Sequence, residues 1–174
     1  MKKTLLVLIV LATTATSVAA QNPVSDSLRS SWGGAKKNIR ESAEQMTEAN
    51  YSFKPSPDVR SFGEILAHVA GASYMLCAAA KGEKSPFAED AFEKTATTKA
   101  AIVKVTNDAI AYCDGAYAAA TDATLGKMVA DPFGSGQVPR ANPLIGQIGH
   151  DNEHYGNLVT YFRIKGMVPP SSKR

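Results

Sequence analysis

The stretch Asn142–Lys165, NPLIGQIGHDNEHYGNLVTYFRIK, decides the fold class. Asn142 is a good helix cap, and Pro143 suits the first helical position, where its missing N–H costs nothing. Gly166 then ends the run, and Pro169-Pro170 forbid continuation. Gln147, His150, His154, Asn157 and Tyr161 share one face, with Ile148 and Leu158 as apolar shoulders. That face is too polar for plain core and too apolar at its edges for plain solvent. It suits either the wall of a pocket inside a helical bundle or a wet groove.

His150 and His154 stand four apart, so on a helix their side chains lie one above the other, with Cβ atoms about 6 Å apart. Two imidazoles so placed can point at one ion. The pair alone is a weak signal, and the metalloprotease form H-E-x-x-H is absent, because Asp151 follows His150. The third and last histidine, His68, lies in a second helical stretch, Ser61–Lys81. If it packs against the pair, three nitrogens face one point and leave coordination positions open, as in catalytic zinc sites.

That second stretch opens with a capping box, Ser61-x-x-Glu64, in which each side chain satisfies the other's free backbone N–H. Phe62, Ile65, Leu66, Val69, Ala72 and Leu76 recur at helical spacing up to Gly82. A first helix is expected over about Asp26–Asn50, after Pro23, through Leu28, Trp32, Ile39, Ala43 and Met46. A third is expected over about Thr97–Ala120, through Ile102, Val105, Ala109, Tyr112 and Ala116. The links are Lys54–Pro57, Glu83–Thr95 and Asp131–Arg140; Gly and Pro in the last argue against a regular element there. No stretch alternates long enough to argue a sheet. The expectation is an all-α four-helix bundle, a fold that builds metal sites from facing helices.

Residues 1–20 read as a cleaved export signal: Lys2 and Lys3, the apolar Leu5–Ala12, then Val18-Ala19-Ala20 before Gln21. The apolar part is shorter than the ~20 residues of a comfortable membrane span. A single domain over 21–174 is then expected, periplasmic or secreted, with no membrane segment in the mature form. The formal charge of +3 includes the two signal lysines, so the mature chain is near neutral. No basic patch with interleaved aromatics appears, which excludes nucleic acid as an expected partner. A homodimer is compatible with the sequence. The two cysteines, Cys77 and Cys113, each fall late in an expected helix. In an exported protein they are either a disulfide or two buried thiols.

Several segments together resemble the DinB family: Phe62-Gly63-Glu64-x-x-x-His68, then His150-x-x-x-His154-Tyr155-Gly156-x-Leu158-x-x-Tyr161-Phe162-Arg163, and Gly166-x-Val168-Pro169-Pro170. The resemblance implies a bundle of up-down-down-up topology. It also implies a divalent metal (zinc, nickel, iron or manganese) held by His68, His150 and His154. In that topology the second and third helices run parallel, which the Cys77–Cys113 disulfide requires. Some members of the family are thiol S-transferases using bacillithiol or mycothiol, and others are thiol-dependent maleylpyruvate isomerases. The family name refers to induction by DNA damage and implies no DNA binding. Two functions are therefore expected for this exported form. One is a metal-dependent enzyme acting on a small molecule, of hydrolase or thiol-transferase type. The other is a non-catalytic metal- or ligand-binding module of the cell envelope. Tyr161 or Asn157 is expected to orient the substrate, Glu64 to steady His68 if it does more than cap, and the Asp131–Arg140 loop to lie near the pocket mouth. Protons are expected to compete for the ligands below roughly pH 6.5.

Overall fold

A computed structural model of the protein describes residues 21–173; the expected export signal, residues 1–20, lies outside them. The elements follow as α1 (Pro23–Gln45), a 3₁₀ turn (Glu48–Asn50), α2 (Phe62–Lys81), α3 (Lys99–Ala118), α4 (Asp122–Leu125), β1 (Met128–Ala130), β2 (Gln137–Pro139) and α5 (Ala141–Ile164). The four long helices α1, α2, α3 and α5 form the bundle.

Helix α2 is its axis. Of its 20 residues, all but Glu64, Met75 and Lys81 are buried. By length and composition it could cross a membrane, against the expectation that nothing beyond the signal approaches a span, but 83% of that window is buried inside the protein. A helix apolar all round belongs in the middle of other helices. Its ends are as the sequence dictates. Ser61 and Glu64 close the capping box, and Gly82 terminates the helix in the left-handed conformation at φ 75°.

Side-chain pairings fix the directions. α2 and α3 are parallel: Gly63 lies against Ile102 near their starts, and Cys77 is bonded to Cys113 near their ends. α2 and α5 are antiparallel: the Phe62 and Phe162 rings meet at 5.4 Å, while Ser73 meets Gln147 at 2.8 Å further along. α1 is antiparallel to α3, with Trp32 Nε1 donating to Asp114 at 2.7 Å and Lys99 Nζ donating to the Met46 carbonyl at 2.7 Å. Beyond the α1 terminus, Gln45 reaches the Val168 carbonyl just past α5, so those two ends lie together. The order is up, down, down, up.

The core has two main layers. Ile39, Met46, Phe62, Leu66, Val69, Leu158 and Phe162 fill one end. Trp32, Cys77, Ile110, Cys113, Tyr117 and Leu144 fill the other, with the Trp32 and Tyr117 rings stacked at 4.8 Å.

Several boundaries depart from the sequence reading. α1 starts at Pro23 rather than Asp26, because the Asp122 carboxylate, nearly 100 residues away, accepts from the N–H groups of Val24 and Ser25 at 3.2 and 2.8 Å. It ends at Gln45 rather than Asn50, since Met46 turns extended. α5 begins at Ala141, with Arg140 rather than Asn142 as its cap. Pro143 still falls in the first turn, where no intrahelical donor is needed. The Asp131–Arg140 loop contains a regular element after all. β2 pairs antiparallel with β1, Val129 opposite Val138, in strands of three residues each.

The 36-residue separation of Cys77 and Cys113 corresponds to about 3–4 kcal/mol of stabilisation in the chain-entropy account. A Cys77→Ala/Cys113→Ala variant should therefore melt lower by on the order of 10 °C. Thiol counting on unfolded, unreduced wild-type protein should find no free thiol.

Candidate metal centre

α2 and α5 cross so that His68 meets His150 and His154. One ring nitrogen from each of the three lies within 4.8 Å of the others. His68 Nε2 is 3.2 Å from His150 Nε2, and the ring centroids stand 4.4–5.1 Å apart. His68 is 8% exposed; the other two are partly buried. The sequence-predicted trio is thus brought together from two helices.

The tautomer of His68 follows from its other partner. Its Nδ1 is 3.2 Å from Glu93 Oε1. A carboxylate only accepts, so Nδ1 carries the hydrogen of this bond and Nε2 is the nitrogen that faces the cluster. Glu93 is itself held by Arg60, at 3.0 Å to Nε and 3.2 Å to the terminal nitrogen. Burial, and then the neighbouring His154 and His68, hold His150 down to about 4. Burial first and His68 next also lower His154. Neutral imidazoles with converging nitrogens are the form that ligates a metal. The Nδ1 atoms of His150 and His154 are buried without a protein hydrogen-bond partner, so the protein alone does not satisfy these rings. The donor set fits a divalent first-row ion.

The carboxylate beside His68 is not the one expected. Glu64 is engaged in its capping box and with Lys54 at 3.0 Å, and its carboxylate is not hydrogen-bonded to the histidine. Glu93 takes that part, from the α2–α3 link, where no periodicity pointed to it. Its arrival depends on Gly71, one turn beyond His68 on α2. A Cβ built there would lie 1.8 Å from the Glu89 carbonyl oxygen, so only glycine admits this segment so close to the helix.

A cleft of about 780 Å³ reaches His154 from solvent. Lys54, Pro55, Asp58, Arg60, Glu64, Glu93, Asn157 and Tyr161 contribute to its walls. Asn157 faces it as expected. Tyr161 lines it too, but its hydroxyl donates to the Arg60 carbonyl and thereby anchors the wall. The Asp131–Arg140 loop is not at the mouth. Arg140 lies beside Ala80, Lys81 and Glu83, at the far end of α2 from His68, about 18 Å along the helix at 1.5 Å per residue. The segment that does line the mouth is 54–60, of which the sequence reading marked Lys54–Pro57 as a turn.

Gln147 belongs to a deeper layer. Its amide donates to Ser73 Oγ and to Asp151 Oδ1, both at 2.8 Å. Burial pushes the Asp151 carboxyl up to about 8, so it is protonated at neutral pH. Asp151, next to His150 in the chain, is buried, which its polarity disguised in the sequence.

The model of the DinB superfamily matches residues 33–158. The chain belongs to the DinB superfamily. A DinB-like protein from Bacillus cereus superposes with a TM-score of 0.70 at 19% identity, over 83% of this chain and 95% of that one. A DinB-like protein from Bacillus subtilis gives 0.63 at 23% identity, over 85% and 99%. A mycothiol-dependent maleylpyruvate isomerase gives 0.63 at 17% identity, over 77% of this chain and 60% of that one. At these identities the DinB-like superpositions establish a shared bundle. No functionally curated protein matches the chain.

Two predictions follow from this geometry. Gly71→Ala should lift the 83–95 segment from α2 and cost about 1–3 kcal/mol, read by denaturant unfolding. The pH window of the site should move down from the ordinary histidine range. Below about pH 6.5 the unfolded chain takes up protons that folded His150 refuses until about 4. Metal-free protein therefore loses stability as pH falls through that window. A His150→Gln variant should show a flatter pH–stability curve there, and an equal slope would show that His150 is not the group responsible.

Proposed function

We propose that the protein holds a divalent metal ion on His68, His150 and His154 and acts through it on a small molecule admitted by the cleft beside His154. The observation that carries this reading is the convergence of three imidazoles, drawn from two helices, at the inner end of an open cleft. When bound, such an ion polarises a water or a thiol into a strong nucleophile at neutral pH.

The chain's own residues divide the remaining work. Glu93 fixes His68 in the tautomer that presents Nε2. Arg60 holds Glu93, and Tyr161 holds the Arg60 backbone, so cleft wall and ligand are one connected unit. Asn157 offers an amide to the substrate from the cleft wall. Hydrolysis and thiol transfer both suit this arrangement. The fold shared with a mycothiol-dependent isomerase supports the thiol reading. The export expected from residues 1–20 would place the protein where small thiols are scarce, and on that reading hydrolysis is favoured. Work outside the cytoplasm is in turn supported by the disulfide, a bond of oxidising compartments. A non-catalytic binding module is favoured if the coordination is closed, and the observation on that side is the Glu89 carboxylate, 3.9 Å from His68 Nε2.

The test uses protein purified from its native compartment. Elemental analysis should find close to one first-row metal per chain, falling below about a tenth in a His150→Ala/His154→Ala variant. The loaded wild type should turn over a member of a panel of esters, amides and thiol acceptors that the variant does not. Unchanged metal content in the variant would place the ion elsewhere. Equal rates on every substrate would leave the binding module.

A further inference from the structure

The α2–α3 link brings two carboxylates to the two sides of one imidazole. Glu93 Oε1 is 3.2 Å from His68 Nδ1, and Glu89 Oε1 is 3.9 Å from His68 Nε2. Their situations differ. Glu93 has a cation of its own in Arg60. Glu89 has none among the described residues, and its carboxylate has the His68 ring as its one polar neighbour there.

The backbone of Glu89 is pinned, since its carbonyl oxygen occupies the space that a side chain at Gly71 would fill. Its side chain is about half exposed. Glu93 accepts from His68 Nδ1–H, so Nε2 is the nitrogen that faces both the other histidines and Glu89. At 3.9 Å, Glu89 makes no hydrogen bond to it. The carboxylate gains when a positive charge lies between the two.

We propose that Glu89 is a fourth, displaceable protein ligand of the metal centre, turning onto the ion from the link while the three histidines hold it from the bundle. This rests on the three-histidine reading above. It makes the donor set three nitrogens and one oxygen and cancels one of the ion's two charges. Mixed imidazole–carboxylate sets suit iron and manganese better than an all-nitrogen set does. The backbone that carries this side chain is held against α2 at Gly71.

Cobalt(II) is the probe, because its visible spectrum reports the donor set. It is titrated into metal-stripped wild type and into Glu89→Gln, Glu89→Asp and His154→Ala variants, with affinity read by chelator competition, folding checked by circular dichroism, and azide added afterwards. Glu89→Gln should bind cobalt about 10–100-fold more weakly. It should also show a shifted visible band and take up azide at lower concentration, while Glu89→Asp recovers part of the affinity. If Glu89→Gln keeps the wild-type spectrum and an affinity within about twofold, while His154→Ala loses the metal, Glu89 is not a ligand and the histidine centre stands. If His154→Ala keeps the metal, the histidine centre itself fails, and this proposal fails with it.

Discussion

Nearly everything in this bundle depends on the burial of α2. Small residues (Ala67, Ala70, Ala72, Ala78, Ala79, Ala80) run along it and let neighbouring helices come close. α3 packs alongside in the same direction and α5 in the opposite one. The cost is that any polar side chain on α2 must find its partners inside the protein. Ser73 does so in the Val69 carbonyl and the Gln147 amide, and His68 does so in Glu93 and the facing imidazoles. The site is thus a consequence of where α2 sits: a histidine this deep is held by carboxylate on one nitrogen and is left with the other for the cluster.

Between the site and the disulfide lies the layer of Ser73, Gln147 and Asp151. Each is buried, and the Gln147 amide needs both of the others. Sliding α5 by one turn along α2 would strand that amide in apolar surroundings, at a cost of about 1–3 kcal/mol for the lost partners. The layer therefore fixes the register of α5. The same register sets His150 and His154 opposite His68.

The parts of this structure that were legible in the sequence are those with local causes. The capping box at Ser61 and Glu64, the glycine stops at Gly82 and Gly166, and the i, i+4 pair His150 and His154 depend on residues a turn apart. The bundle topology and the place of the third histidine were legible through the family motif around His68. The parts that were not legible are made across the fold. The Asp122 carboxylate caps α1 from a distance of nearly 100 residues. Glu89 and Glu93 look like any acids of a polar link until Gly71 draws that link against α2. The hairpin strands are too short for alternation to register. Nothing in the sequence marks Asp151 as buried, because that state belongs to its surroundings and not to its type.

The Cys77–Cys113 bond has a topological effect besides its thermodynamic one. The covalent loop it closes contains the whole 83–95 segment, with Glu89 and Glu93 inside it. A protease that cuts this surface link once leaves a single covalent molecule, whose two new ends stay tethered at the ends of α2 and α3. Nicked protein runs as one chain until it is reduced. The acid-bearing strap can lose its continuity without the two halves of the bundle parting.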